Sequence, residues 1–282
     1  MKTKILLTGA SGFVGTQILR KLLEFECEIS LVLRSKSTNP LFESDKITEV
    51  FYTDDLFTEN ENWFKYILKD IDVVIHAAWF AKPNEYLDSN LNLVCVDGSL
   101  KFASVAKDCK VKRFIGIGTC LEYDLSYERL SINTELKPIS LYAHSKVKVY
   151  RGMIHCFTGS NTQFSWCRLF SLYGENENRD RLVPYVSQKL RNREKVHIFN
   201  GDFIRDYLDV EIAGSQIAEV AVSNFTGVVN ICSGVPISIR QLTLNLGQKY
   251  GAPELLIFDD SLLESAGYPC IVGVPNWNID EH

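Results

Sequence analysis

Up to Tyr173 the chain alternates short apolar runs with stretches of helical periodicity. Ile5 to Leu7 is an apolar run that stops at Thr8-Gly9, and from Phe13 to Leu23 apolar residues return at helical spacing. Further runs at Ile29 to Leu33, Thr48 to Tyr52, Asp72 to His76, Arg113 to Ile117 and Phe164 to Leu169 read as strands, the second of these the weakest. Leu91 to Cys109 and Tyr142 to Phe157 read as long helices. Strands alternating with crossover helices predict the α/β class, a doubly wound and mostly parallel sheet with helices on both faces.

Beyond Tyr173 the alternation weakens into a stretch punctuated by Pro, Gly and Asn, with short apolar runs at Lys195 to Phe199 and Val228 to Ile231. This predicts a first domain over residues 1–172 and a smaller C-terminal lobe over 173–282, with the chain returning to the first domain around 203–235. No internal repeat or low-complexity segment interrupts the pattern.

Composition narrows the partners. The 282 residues are 46% hydrophobic and 23% charged, which suits a packed globular protein of enzyme size. The formal net charge of −5, with no dense basic face, argues against nucleic acid as a partner. The basic stretches Lys107 to Arg113 and Lys189 to Lys195 are interrupted and read as solvated helix ends. Eight cysteines are scattered without a CxxC pair or zinc spacing, so reduced thiols and no metal are expected. Met1 to Lys4 leads straight into a strand without a signal-peptide pattern, and no run of about 18 apolar residues could span a bilayer. A cytoplasmic location without membrane attachment is the expectation.

The segment Thr8-Gly9-Ala10-Ser11-Gly12-Phe13-Val14-Gly15 joins the first strand to the first helix. There the first glycine permits a tight turn, the second lets backbone approach a pyrophosphate, and the third lets helix and strand pack closely. The helix start offers backbone N–H groups and a positive dipole end to phosphates. Such a triplet also occurs as a plain structural turn; its place at the first strand of an α/β chain favours a dinucleotide. An NAD site usually shows Asp or Glu at the end of the second strand, about 20 residues on. Here that place carries Arg34-Ser35-Lys36, and a guanidinium suits a 2′-phosphate, so NADP(H) is preferred with NAD(H) possible. Asp55-Leu56, after the third strand, is either an adenine contact or a helix cap.

Tyr142 and Lys146 lie one turn apart at the start of a helix, so both project from one face. A nearby ammonium, assisted by the positive nicotinamide ring of an oxidised cofactor, is expected to lower the tyrosine pKa and let the phenol exchange a proton with a hydroxyl or carbonyl oxygen. The pair follows the fifth strand, whose end carries Gly118-Thr119-Cys120-Leu121-Glu122-Tyr123. In open α/β sheets ligands bind off the carboxyl ends of the strands, where these residues would converge.

With these pieces in place the chain resembles an extended short-chain dehydrogenase/reductase of the nucleotide-sugar-modifying branch, a Rossmann-type fold. The likeness covers nearly the whole chain and rests on Thr8 to Gly15, Asp55-Leu56, His76-Ala77-Ala78, Thr119, Tyr142-Ala143-His144-Ser145-Lys146, Arg168 to Gly174, Arg205 to Val210 and Asn230 to Gly234. The resemblance implies that Thr119 positions the substrate oxygen, Tyr142 is the acid/base and Lys146 binds ribose and tunes the tyrosine. It implies cofactor contacts from Gly9, Ser11, Gly12, Phe13, Val14, Gly15, Arg34, Asp55, Leu56, Ala77, Ala78 and Phe170. The C-terminal lobe would bind a nucleotide diphosphate sugar, with Arg205 on the diphosphate and Leu182, Val183, Pro184 and Phe199 lining the base pocket. Without the resemblance Arg205 reads equally as an ion-pair partner of Asp206 or Asp209. Thr119, Cys120 and Ser171 would face the sugar side. A homodimer through the helices Leu91 to Cys109 and Tyr142 to Phe157 is implied as well, although their apolar positions could equally be core.

Departures from the family pattern narrow the chemistry. Sugar-nucleotide 4,6-dehydratases carry Asp-Glu directly after the catalytic Thr, where this chain has Cys120 and Leu121, so dehydration is not expected. Fucose-synthase-like enzymes place a Cys two residues after the catalytic hydroxyl; Cys120 is one residue after, which favours a packing role. Ser171 stands where many relatives have a phosphate-binding Asn, and Cys95 where many have an Asn. What remains is hydride transfer at one carbon, and reduction of a 4-keto (deoxy)sugar nucleotide is the preferred reading. A 4-epimerase with retained NAD, a non-catalytic NAD(P)-binding regulator and a reductase of a non-sugar carbonyl are the alternatives.

Overall fold

The apolar runs of the chain assemble into one seven-stranded sheet in the computed structural model, which describes residues 2–34, 39–259 and 267–277. Strand β1 (Thr3–Thr8) leads into helix α1 (Phe13–Leu22), followed by β2 (Cys27–Arg34), β3 (Ile47–Thr53), α2 (Glu61–Ile67) and β4 (Val73–His76). Helix α3 (Leu91–Asp108), β5 (Arg113–Thr119), a two-residue strand β6 (Arg129–Leu130), α4 (Leu141–Phe157) and β7 (Gln163–Leu169) come next. The rest of the chain builds β8 (Ser171–Tyr173), α5 (Leu182–Arg191), β9 (Val196–Phe199), β10 (Ile204–Asp209), α6 (Val210–Val222) and β11 (Gly227–Ile231). It closes with β12 (Pro236–Ser238), α7 (Ile239–Lys249), β13 (Leu256–Asp259) and β14 (Cys270–Gly273).

The main sheet has the order β11-β7-β5-β4-β1-β2-β3, every neighbour parallel. Apolar side chains on both faces of these strands are buried, as a sheet sandwiched between helices requires. One core holds Ile5, Leu7, Ile29 and Leu31 against α1 and α6; the other holds Leu6, Val74 and Phe114 against α2, α3 and α4. The strand order reverses between β1 and β4, and in such sheets that switch point opens a crevice at the carboxyl ends of the strands.

The strands and helices predicted in the first part of the chain match the periodicity to within a few residues, while the short helix α2 was not predicted. The later part differs. In place of a stretch with only short apolar runs, residues beyond Tyr173 form three helices, α5, α6 and α7. Helix α6 is rich in Ala, Val and Ile and buries Val210, Ala213, Gly214, Ile217, Ala218, Val220 and Ala221, so its apolar residues lack the clean one-sided spacing that marks a surface helix. It caps on Asp209, whose side chain accepts from the Glu211 N–H, and packs with α1. A second sheet, β12-β10-β14-β6 with β8 also paired to β10, stands beyond the main sheet, and β13 pairs with β9. No helix among the described residues is long and apolar enough to cross a membrane. All eight cysteines are unpaired.

Helices α1 and α6 meet at Gly214, where an added methyl would lie 2.6 Å from the Gln17 carbonyl carbon. That neighbour is backbone and cannot swing aside, so the overpacking outweighs the better helix propensity of alanine. Gly214→Ala is expected to cost about 2 kcal/mol and lower the melting temperature by about 4–8 °C in a thermal unfolding scan; an unchanged melting point would contradict this packing.

Candidate active site

The glycine loop sits at the switch point. Gly9 has φ +77°, and an added Cβ would lie 2.7 Å from both the Ala77 carbonyl carbon and the Ala78 nitrogen, so the loop after β1 presses on the chain leaving β4. Only a glycine meets both demands. Gly12 is the N-cap of α1, without a side-chain cap, and a side chain on Gly15 would run into the Gly9 carbonyl.

A cavity of about 670 Å³ opens beside this loop. Of the residues expected at the cofactor it is lined by Gly9, Ser11, Gly12, Arg34, Asp55, Leu56, Ala77 and Ala78. Arg34 is exposed at the end of β2; its neighbours Ser35 and Lys36 lie outside the described residues. Asp55 both borders the cavity and caps the turn Leu56–Thr58, its Oδ1 accepting from the Phe57 N–H at 3.0 Å. Phe13, Val14 and Gly15 lie in the first turn of α1 and do not border the cavity. Phe170 packs instead into a small core with Cys120, Tyr123 and Cys232. The periodicity gave no reason to single out Trp79, Phe80 or Lys82, which complete the wall after β4. Two aromatics directly after His76-Ala77-Ala78, where the chain leaves a central strand, were the available signal.

Thr119, Tyr142 and Lys146 come together at the carboxyl end of β5 and the start of α4. Ser140 caps α4, its hydroxyl accepting from the Ala143 N–H at 3.2 Å, and the Tyr142 N–H donates to the Leu87 carbonyl at 2.8 Å. Lys146 is buried; its Nζ donates to the Ile117 carbonyl on β5 at 2.8 Å and lies 5.9 Å from the centre of the Tyr142 ring. The Tyr86 ring meets Tyr142 edge to face with centroids 4.9 Å apart.

Beneath Thr119 lies an enclosed carboxylate. Glu122 Oε1 accepts from the Thr119 N–H at 2.9 Å and from Trp166 Nε1 at 3.1 Å, while Oε2 accepts from Arg168 Nε at 2.7 Å. Both members of this ion pair are shut away from water, and the Arg168 guanidinium lies between the rings of Tyr123 and Tyr150. Such a pair is costly to break, because removing one member strands the other's charge.

Enclosure sets the acid–base properties of the site. Burial pushes the Tyr142 phenol up, with Tyr86, Glu122 and Cys120 adding to the rise and a hydrogen bond from the Thr119 side chain opposing it. Burial pushes Lys146 down to about 7, against the pull of Glu122 and Cys95. In the protein alone, desolvation dominates at Tyr142. Burial also pushes the Cys120 thiol up to about 12, so it stays protonated.

Arg205 stands on β10. Its Nη1 donates to the Ile204 and Pro269 carbonyls at 2.8 and 3.3 Å, and no carboxylate forms an ion pair with it among the described residues. Asp206 is committed elsewhere, to the Ser233 and Gly234 N–H groups, and Asp209 caps α6, which removes the ion-pair reading. A second cavity of about 670 Å³ is lined by Val183 and Pro184 of α5 together with Tyr173, Glu177, Tyr207 and Ile237. Leu182, Phe199, Ser171, Cys120 and Arg205 do not border it; Phe199 is exposed at the end of β9 and Ser171 half-buried on β8.

The model of the NAD dependent epimerase/dehydratase family matches residues 5–231. A dTDP-6-deoxy-L-talose 4-dehydrogenase (NAD(+)) of Aggregatibacter actinomycetemcomitans is 24% identical over 239 residues, covering 84% of this chain and 86% of the relative. The structure of a UDP-glucose 4-epimerase from Thermotoga maritima with UDP-glucose superposes with a TM-score of 0.83 at 19% identity, covering 97% of this chain and 90% of that one. A Thermus thermophilus UDP-glucose 4-epimerase in complex with NAD gives 0.81 at 17% identity, covering 97% and 91%. At these identities the two structures show the shared fold.

His76, at the end of β4, ties the site to the sheet. Its ring nitrogens pair with Thr8 Oγ1 and Ser99 Oγ, both at 2.9 Å, and burial pushes its pKa down to about 3. A histidine kept neutral in the folded state contributes stability that is intact above its ordinary value near 6.5 and lost as the pH falls from there toward 3. Urea unfolding between pH 7 and 4 should show stability falling by up to about 1.4 kcal/mol per pH unit from this group. His76→Gln should flatten that slope, and an identical slope in the variant would contradict the assignment.

Proposed function

The chain belongs to the NAD dependent epimerase/dehydratase family, and from that premise we propose that it oxidises or reduces carbon 4 of a nucleotide-linked sugar. The observation that carries this reading is the meeting of Thr119, Tyr142 and Lys146, which do not themselves border the glycine-walled cavity but reach it through its wall residue Trp79. A nicotinamide dinucleotide fits that cavity: Gly9 and Gly12 line it at the uncapped start of α1, where backbone N–H groups suit a pyrophosphate, and about 670 Å³ is ample for the adenosine half. Bound there, it supplies or takes up hydride. We infer a preference for NADP(H) from the exposed Arg34 and the lack of a carboxylate in its place, while NAD is the cofactor named for the relatives above.

In the reductive direction the buried Tyr142 phenol stays protonated until it gives its proton to the carbonyl oxygen, which is the state its raised pKa favours. Thr119 holds that oxygen, and Lys146, fixed by the Ile117 carbonyl, places positive charge near the phenolate that forms. Arg205, without a carboxylate partner among the described residues, is available to a diphosphate, and the cavity at Val183, Pro184 and Tyr207 to the nucleoside. Cys120 and Leu121 stand where dehydration would need an acid and a base; a thiol held protonated is no base, and leucine is neither.

Two outcomes share these residues. Net reduction of a 4-keto (deoxy)sugar is supported by the likeness to a 4-dehydrogenase over most of both chains. Epimerisation at carbon 4, with oxidation and re-reduction on one retained cofactor, is supported by the epimerases of the same fold. A regulator without catalysis would have no use for the three reactive side chains. The exposed Leu93 on α3 and Ile154 on α4, neither of which borders the dinucleotide cavity, suit pairing of two copies.

The purified protein should be mixed with NADPH or NADH and a panel of nucleotide-linked 4-keto-6-deoxy sugars, following reduced-nicotinamide absorbance. Oxidation of NADPH faster than NADH is the expected result, with Tyr142→Phe slowing turnover about 10²–10⁴-fold while dinucleotide binding persists. Interconversion of nucleotide hexoses without added cofactor would assign the epimerase instead. Full turnover by Tyr142→Phe would contradict the proposed chemistry.

A further inference from the structure

Lys146 is a buried ammonium with no carboxylate pairing it among the described residues, an arrangement that by itself favours the neutral amine. What covers it is an aromatic face: Nζ lies over the Trp79 ring, 3.6 Å from its centre. Indole is the strongest of the side-chain π systems toward a cation, and the interaction grows when water is excluded. The ring is also anchored. Trp79 Nε1 donates to Asn92 Oδ1 at 2.9 Å, and Asn92, fully buried on α3, spends its amide on the Tyr86 and Ser89 carbonyls at 2.6 and 2.9 Å. The rings of Phe57 and Tyr142 meet its edges at 6.2 and 6.4 Å. Three partners, one hydrogen-bonding and two packing, thus hold one indole against one ammonium.

We propose that Trp79 is a positioning residue for Lys146, its indole face capping the ammonium and keeping it charged while the Ile117 carbonyl fixes its place. The titratable groups facing Lys146 leave this role open. His76 from β4 is neutral, Cys95 from α3 is a buried thiol, and Tyr142 on the same helix is a protonated phenol. Glu122, from the turn after β5, carries the negative charge, but its oxygens are committed to Thr119, Trp166 and Arg168. Trp79 is the group that touches the ammonium on the cavity side, as a wall residue of the dinucleotide pocket. The proposal rests on the reading of Lys146 as the partner of Tyr142 in so far as it concerns catalysis; the contact itself does not.

The test is a titration of Lys146 in the cofactor-free protein by NMR of labelled lysine side chains, with the signal assigned by its loss in Lys146→Met. Trp79→Leu keeps an apolar cover and removes the π face, and it should move the midpoint down by about one pH unit, a tenfold loss of proton affinity. Trp79→Phe, which keeps a ring, should restore most of that shift. Asn92→Ala, which frees the indole without removing it, should shift the midpoint in the same direction by less, and it covers the case in which Trp79→Leu does not fold. A midpoint unchanged or raised in folded Trp79→Leu, or lowered equally by Phe and Leu, would overturn the proposal. If Lys146→Met retained full turnover with a nucleotide sugar, the reading of the active site would fail while the Trp79 titration would still give its own answer.

Discussion

The contact between the loop after β1 and the chain leaving β4 is the constraint from which the rest of the site follows. Strand order reverses there, so the two connections diverge to opposite faces of the sheet and leave a crevice between them. Gly9 closes the bottom of that crevice by backing onto Ala77 and Ala78, and Gly15 lets α1 descend onto the loop. A side chain at Gly9 would push β1 and β4 apart at their ends, and with them the helix start, the cavity wall at Trp79 and the ring of His76 between Thr8 and Ser99.

On the other side of β4 the site is built from charges withdrawn from water. Glu122 and Arg168 neutralise each other under Thr119, and Trp166 and the Thr119 N–H supply the carboxylate's further hydrogen bonds. A pair of this kind adds little net stability against an apolar replacement, but it fixes geometry, since any movement of Thr119 would strip a buried carboxylate of a donor. Lys146 is held by a carbonyl and an indole instead of a counter-ion. The enclosed site therefore keeps its phenol protonated and its lysine close to the point of losing its charge, a poise suited to proton delivery.

Much of this was legible in the sequence because it depends on local pattern. The strand-Gly-helix order located the crevice, and the spacing of Tyr142 and Lys146 at a helix start placed both on one face. Of the helices after Tyr173 only the end of α5 showed, in the basic stretch from Lys189, because α6 is too uniformly apolar to show a side and α7 lies among turn residues. The balance of burial against charge at Tyr142 also escaped the sequence: spacing shows that an ammonium is near but not that water is excluded from both groups. Trp79 escaped for a related reason. An aromatic after a strand has no meaning until the fold brings Lys146, some 67 positions later, beneath it, a separation plain in the numbering.

The central claim is that Tyr142 and its neighbours serve hydride transfer to carbon 4 of a nucleotide-linked sugar. Its most direct measurement follows the label from reduced dinucleotide carrying deuterium at the nicotinamide C4, offered to the protein with a 4-keto sugar nucleotide, with the product analysed by mass spectrometry and NMR. A single deuterium at sugar carbon 4, on one face only, is the predicted result. Tight binding of both ligands with no deuterium reaching any sugar carbon would contradict the account.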